Sequence, residues 1–587
     1  MSSGPEAGEN LLQQLGQFQQ QFANQFLNAI AGGPRPEIGE IFESLTAGLQ
    51  HEATGWTEVQ MRYARDQMRL WSNLLGAGSG SPVEPVVAPE KGDRRFHGSE
   101  WREFPFFDFL RQQHLLNARW VSELVESSHL DAQTKRKAAF FARQYLDAMA
   151  PSNYPGTNPE VLKLALATEG ASLAAGLKNL MADIEKGRIS MTDESVFEVG
   201  RNLAVTEGAV VYENELMQLI RYRPLTAEVH ERPFLMVPPF INKYYLLDMQ
   251  PENSLVRYLL EQGQQVFLIS WRNITPQLGD RTWDDYVEHA VFRAMDVARE
   301  LTGQDRLNVL GFCVGGTLLT SALAVLRARG DERAASLTLL TTMLDFSEVG
   351  EISVYVDPAY VAKREADFKD GGLMHGRELA TTFASLRANE LIWSFVVNNY
   401  LKGRTPEAFD LLYWNSDSAN LPGRLYVWYV RNMYLENNLP VPGKTVVLDT
   451  PVDLGKVDMP TFVLATREDH IVPWKSAYAS ARLLGGELEF VLAASGHIAG
   501  VINPASKNRR NYWTGQGMPA DAQRWLESAQ QIQGSWWPHF AEWLGRRAGE
   551  RVPAPQRLGS DSHPEIEPAP GRYVKVRDHE AERGAAV

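Results

Sequence analysis

LNVLGFCVGGTLLTSALAVLRARG, residues 307–330, decides the fold. The run LNVLGF (307–312) reads as a buried strand, and the stretch from Gly316 onward reads as a helix. Between them Gly311-Phe312-Cys313-Val314-Gly315 makes a sharp strand-to-helix turn with a cysteine at its tip. A side chain at Gly311 or Gly315 would crowd the neighbouring strand and helix, so glycine is required there on steric grounds. The turn presents the Cys313 sulfur at the edge of a sheet and at a helix N-terminus, where the dipole favours negative charge.

Working outward, short apolar runs alternate with amphipathic helices from about residue 200. The runs are PFLMV (233–237), QVFLIS (265–270), SLTLLTTM (336–343), TFVLA (461–465) and LEFVL (488–492). TWDDYVEHAVFRAMDVARELTG is one of the intervening helices. Strands alternating with helices imply a mostly parallel sheet covered on both faces. With a nucleophile elbow in its middle, that is an α/β-hydrolase fold. The fold demands an acid and then a histidine downstream, each on a loop after a strand. Asp469 follows TFVLA, and His497 follows LEFVL between Gly496 and Gly500. Asp345, at the end of the strand after the nucleophile helix, is the rival acid, while Glu468 and His470 flank Asp469 and point elsewhere. The oxyanion hole takes the Val314 N–H and one from the loop Val237-Pro238-Pro239-Phe240-Ile241. Neither proline has an N–H, so the second donor is Phe240 or Ile241.

The interval 344–460 is far longer than one crossover and is expected to hold an inserted cap subdomain over the strand ends, where a lid would lie. It is rich in aromatics, among them Trp393, Tyr400, Tyr413, Trp414, Tyr426, Trp428 and Tyr429. The remaining organisation reads as an N-terminal segment at 1–75, a flexible Gly/Ser/Pro linker at 76–93, a helical domain at 94–200, the α/β domain at 201–550 and a Pro-, Gly- and charge-rich tail at 551–587. Within the first segment Leu11, Leu15, Phe18, Phe22 and Phe26 share one helical face among glutamines. In the helical domain Asn158 is placed to cap a helix whose first turn holds Pro159.

Composition narrows the function. The 587 residues are 44% hydrophobic and 22% charged, ordinary for a globular protein, and the net charge of −14 argues against a nucleic-acid binder. The one cysteine excludes an intramolecular disulfide and a cysteine-based zinc site, which fits a reducing compartment. The first thirty residues carry neither a basic n-region nor a continuous apolar h-region, so no secretory signal is expected. No apolar run reaches the length of about eighteen residues that a membrane span needs.

GFCVGG, PPFINKYYLLDMQPENSLVRYLLEQG, VFLISWRN, TWDDYVEHA, NYLKGRTP, REDHIVPWKSAY, SGHIAGVINP and GSWWPHFAEWL together resemble the class I polyhydroxyalkanoate synthases. DRRFHGSEW, FPFFDFLRQQHLL and EPAPGRYVK extend the resemblance over about residues 93–575. The family's catalytic cysteine, aspartate and histidine fall on Cys313, Asp469 and His497. The resemblance implies polymerisation of (R)-3-hydroxyacyl-CoA thioesters with short side chains, releasing CoA and needing no metal or organic cofactor. It further implies a cytoplasmic homodimer attached to the growing polyester and its granule surface, with granule-associated proteins as partners. Two other functions use the same scaffold: a thioesterase or other cysteine hydrolase with water as acceptor, and a non-catalytic granule-coat protein. The second of these would lack triad members, and all are present here.

Overall fold

The computed structural model of the chain describes residues 53–76 and 84–582. They form two compact units, one comprising the described residues up to Glu194 together with Thr381–Phe409, the other Ser195–Ala380 with Asp410 onward. The amphipathic face at 11–30 lies outside the described residues.

The first unit is helical, with α1 at Ala53–Gly76, α2 at Pro105–Ser127, α3 at Ala132–Ala148, α4 at Pro159–Ala167 and α5 at Ala171–Lys186. The Asn158 side chain accepts from the Glu160 and Val161 N–H groups, capping α4 as its sequence predicts. Separating 1–75 from 94–200 is not upheld for α1. Its Tyr63 stacks on Trp120 of α2 with ring centroids 4.8 Å apart and donates to Asn117 at 2.7 Å. The part of the expected linker that is described, 84–93, is docked as well, since Val86 N–H donates to Gln112 of α2 at 2.6 Å. A Gly/Pro-rich composition limits helix and strand, but it does not prevent a segment from packing.

The second unit is built on an eleven-stranded sheet. In chain order its strands are β1 Gly208–Glu213, β2 Met217–Tyr222, β3 Pro233–Val237, β4 Gln265–Trp271, β5 Leu307–Phe312, β6 Ala334–Leu340, β7 Thr461–Thr466, β8 Leu488–Ala493, β9 Asn511–Thr514, β10 Gln530–Gln533 and β11 Glu567–Pro568. Their order across the sheet is β10-β9-β8-β7-β6-β5-β3-β4-β2-β1-β11. From β8 to β4 neighbours run parallel, and the flanks are antiparallel. Every residue of β3, β4, β5 and β7 is buried, which is why these strands appear in sequence as unbroken apolar runs. The flanking β10, with the sequence QQIQ, is mostly exposed and gives no such signal. This is the expected α/β-hydrolase architecture.

The strand order reverses about β3. The chain passes from β3 to β4 on one side and then returns to β5 on the other, so the C-terminal ends of β3 and β5 lie side by side with Val237 opposite Gly311. Open parallel sheets bind ligands at such a point because adjacent strand ends diverge into a crevice there.

Two expectations need correction. The insert between β6 and β7 is not a single cap subdomain. Ala384, Ala388, Ile392, Trp393, Val396 and Tyr400 share a core with Ala148 and Leu180 of the helical unit. Tyr400 donates to Asp183 at 2.7 Å, and Lys402 pairs with Glu160 at 2.6 Å. Apolar periodicity marks a face for burial but does not name its partner. Nor is 551–582 a tail. Arg551–Pro553 pairs with Glu228–His230, β11 extends the sheet, and the charges are spent locally, Arg572 lying 2.7 Å from both Glu213 and Glu567. Among the described residues no helix is long and apolar enough to cross a membrane.

Candidate active site at the ends of the central strands

Cys313 occupies φ +52°, ψ −128° between β5 and helix α6, Val314–Ala328. A non-glycine residue held in that region carries backbone strain, which the surroundings must enforce. They do so through hydrogen bonds and through glycine. Cys313 N–H donates to Leu340 O at 2.9 Å, and its carbonyl accepts from the Gly316 N–H at 2.9 Å. A Cβ on Gly315 would lie 2.5 Å from the Val237 and Pro238 carbonyls, and one on Gly311 would overlap Gly316. The glycines therefore let α6 start directly against the end of β3, from which the loop carrying Phe240 and Ile241 leaves. Phe240 is buried, its ring edge-on to Trp271, Trp283 and Tyr286 at 5.4–6.2 Å. Cys313 itself is partly buried.

Asp469 follows β7 and His497 follows β8, neighbouring parallel strands, so the two loops emerge side by side. His497 Nδ1 and Asp469 Oδ2 are 2.7 Å apart. The aspartate is itself held. Oδ1 accepts from the Ile471 and Val472 N–H groups at 2.9 and 2.8 Å, and Oδ2 accepts from Thr466 Oγ1 at 3.1 Å. Phe312 stacks on the imidazole with centroids 5.8 Å apart. Burial opposes charge on His497, but the Asp469 carboxylate, then the Cys313 sulfur, outweigh it and raise the pKa to about 10. Asp469 and His497 are thus bonded to each other, and Phe312, which precedes Cys313, stacks on the imidazole.

The rival acid is occupied elsewhere. Asp345 Oδ1 accepts from the Ser347 N–H and from Asn437 Nδ2, both at 2.9 Å. Asp469→Asn is accordingly expected to slow deacylation of an acyl-enzyme by roughly 10²- to 10⁴-fold, and first acylation less, because a cysteine depends less on its base than a serine does. Asp345→Asn is expected to match wild type. Single-turnover and steady-state rates on both variants check this. The reverse pattern would move the acid to Asp345.

One wall of the site was only half legible. Tyr429 and Tyr434 both have phenol groups pushed upward, chiefly by burial, with Cys313 adding to the effect. Their rings are 5.5 Å apart, and both pack on Phe346, while Trp283 stacks on Tyr429 at 5.5 Å. In an α-helix, residues five apart point about 140° away from each other. Here Val430–Leu435 is a π-helical turn, whose i to i+5 pairing brings such residues together. Nothing in the local sequence announces that turn.

The family model for the poly-beta-hydroxybutyrate polymerase (PhaC) N-terminus matches residues 92–259, and that for the alpha/beta hydrolase fold matches residues 233–504. The chain is 52% identical over 536 residues to the poly(3-hydroxyalkanoate) polymerase subunit PhaC of Cupriavidus necator, with 90% of each chain covered. It is 42% identical over 525 residues to the corresponding subunit of Rhizobium meliloti, covering 89% of this chain and 85% of that one. To the poly(3-hydroxyalkanoate) polymerase of Methylorubrum extorquens it is 41% identical over 562 residues, covering 94% and 93%. Identity at this level across nearly the whole chain means that it belongs to the poly(3-hydroxyalkanoate) polymerase family.

Proposed function

We propose that this chain polymerises (R)-3-hydroxyacyl-CoA thioesters, short ones such as 3-hydroxybutyryl-CoA foremost, into polyhydroxyalkanoate through an acyl thioester on Cys313. The observation that carries the reading is the His497–Asp469 pair, 2.7 Å long and buried, beside a cysteine in a strained elbow. With Nδ1 engaged by Asp469, Nε2 is the ring atom left to exchange a proton with the reacting groups.

In the first half-reaction the Cys313 sulfur, its proton already resting on His497, attacks the thioester carbonyl. The carbon–sulfur bond to CoA breaks, and CoA leaves with that proton. The Val314 N–H and that of Phe240 or Ile241 stabilise the oxyanion. In the second, a 3-hydroxyl oxygen attacks the acyl-Cys313 carbonyl and gives its proton to His497. An oxygen ester forms, and the Cys313 sulfur is released with the proton once more on His497. Thioester-for-thioester exchange is nearly isoenergetic, and conversion to an oxygen ester is downhill, so cysteine keeps the acyl group activated where serine would trap it. On this reading the enzyme works as a homodimer on a polyester granule surface in the cytoplasm.

A hydrolase would use the same residues with water as acceptor. Purified protein incubated with (R)-3-hydroxybutyryl-CoA is expected to release one CoA per monomer incorporated, with little free acid. Stoichiometric free 3-hydroxybutyrate and no polymer would make it a thioesterase. Excluding water from an acyl thioester also requires a covered site with controlled access. Hydrogen exchange over 344–380 and 410–460, the parts of the insert that belong to the sheet unit, is therefore expected to differ between resting and acylated enzyme, and uniformly slow exchange in both states would rule out a moving lid.

A further inference from the structure

The loop that follows β3 is held from two directions. On one side lies the insert. Ala419 N–H donates to Ile241 O at 3.3 Å, Asn242 forms a β-bridge with Ser418, and Trp414 Nε1 donates to Lys243 O at 2.7 Å. On the other side lies the C-terminal segment. Lys243 Nζ donates to the Val574 and Val576 carbonyls at 2.7 and 2.5 Å. Asp417 ties the two sides together. Its Oδ1 is 3.7 Å from Lys243 Nζ and 3.0 Å from Arg577 Nη1, and its Oδ2 accepts from Tyr245 OH at 2.9 Å. Arg577 also reaches Tyr413 OH at 2.5 Å.

Lys243 and Asp417 are buried, and burial lowers the lysine's pKa against the pull of Asp417. Burying such charges costs free energy that a well-packed apolar cluster would not, so stability alone is a poor reason for this arrangement. What it provides is direction. An ammonium group set between two fixed carbonyls and a carboxylate locates the backbone at Lys243 within hydrogen-bond tolerance. The Phe240 and Ile241 N–H groups are two or three residues away, and the Phe240 ring is already locked among aromatics.

We propose that Lys243, Asp417 and Arg577 are positioning residues that clamp the oxyanion loop between the insert and the C-terminal segment, making residues 573–577 part of the catalytic apparatus. The proposal rests on the reading of Cys313 as the nucleophile with an oxyanion hole at Val314 and Phe240 or Ile241. A misplaced donor costs rate in the transition state and little in substrate binding. Arg577→Gln and Lys243→Met are therefore expected to lower kcat by about 10- to 100-fold, with KM staying within about twofold. Alkylation of Cys313 by iodoacetamide, which needs no oxyanion hole, is expected to proceed at the wild-type rate in both. Arg577→Lys keeps a charge for Asp417 but loses the planar fork that also reaches Tyr413, so it is expected to recover only part of the lost rate.

The measurements are steady-state kinetics with (R)-3-hydroxybutyryl-CoA, alkylation rate and thermal unfolding on the full chain. Arg577 is partly exposed, so Arg577→Gln keeps the test open if Lys243→Met fails to fold. An unchanged kcat in the folded variants would overturn the clamp, as would an alkylation rate that falls in step with kcat. An acyl adduct that persists in Cys313→Ala would instead overturn the nucleophile on which the clamp depends, so the two failures are distinct.

Discussion

Cys313→Ala is expected to form no acyl-enzyme and to lose turnover on the order of 10⁶-fold, the scale on which a triad enzyme feels the loss of its nucleophile. The chain has no other cysteine, so no second thiol can substitute. Intact-mass analysis after exposure to a slow acyl-CoA substrate should find one adduct per wild-type chain and none in the variant. Cys313→Ser is the sharper probe. It differs by one atom and is expected to keep the fold, because the strain at φ +52° is imposed by Gly311, Gly315 and the hydrogen bonds around the turn. Turnover should still be nearly lost, since a seryl ester is far less activated towards the next hydroxyl than a thioester is. A serine variant that polymerises at the wild-type rate would remove the chemical argument for cysteine.

The next largest effect is expected at His497. In the proposed mechanism its imidazole handles the proton in both half-reactions, so His497→Ala is expected to slow each by about 10³-fold or more. The structure adds a pH signature. His497 is raised from its ordinary 6.5 to about 10, so its folded state binds a proton more tightly than its unfolded state. The stability this contributes is fully present below about pH 6.5 and is lost as the pH climbs through about 10. The difference in Tm between wild type and His497→Gln should therefore be widest near pH 6 and should narrow steadily towards pH 10. A gap that widens with rising pH would mean that His497 is not held charged by Asp469.

Much of this site is legible without coordinates, because its parts depend on local rules. A strand buried on both faces must be apolar throughout, and β3, β4, β5 and β7 are. An elbow needs small residues where backbone meets backbone, and Gly311 and Gly315 stand there. Asp469 and His497 stand out because each follows a strand marked by an apolar run, TFVLA or LEFVL. The antiparallel strands β9 and β10 were missed for the same reason in reverse. Strand β9 is fully buried only at Tyr512 and Trp513, β10 is mostly exposed, and QQIQ has too little apolar content to mark a strand.

The sequence by itself therefore determined the parallel core, the strand-to-helix elbow at Cys313 and the places of Asp469 and His497 on loops after β7 and β8, all consequences of short-range pattern and steric need. Tertiary structure decided everything that involves a choice of partner. It pairs His497 with Asp469 while Asp345 bonds Asn437, and a π-helical turn sets Tyr434 beside Tyr429. It sends the middle of the insert to the helical unit and folds 573–577 against Lys243. The physical reason is the same in each case. Burial and hydrogen bonding state what a residue needs, and many segments of one chain offer it. Only the packed arrangement brings one of them within reach.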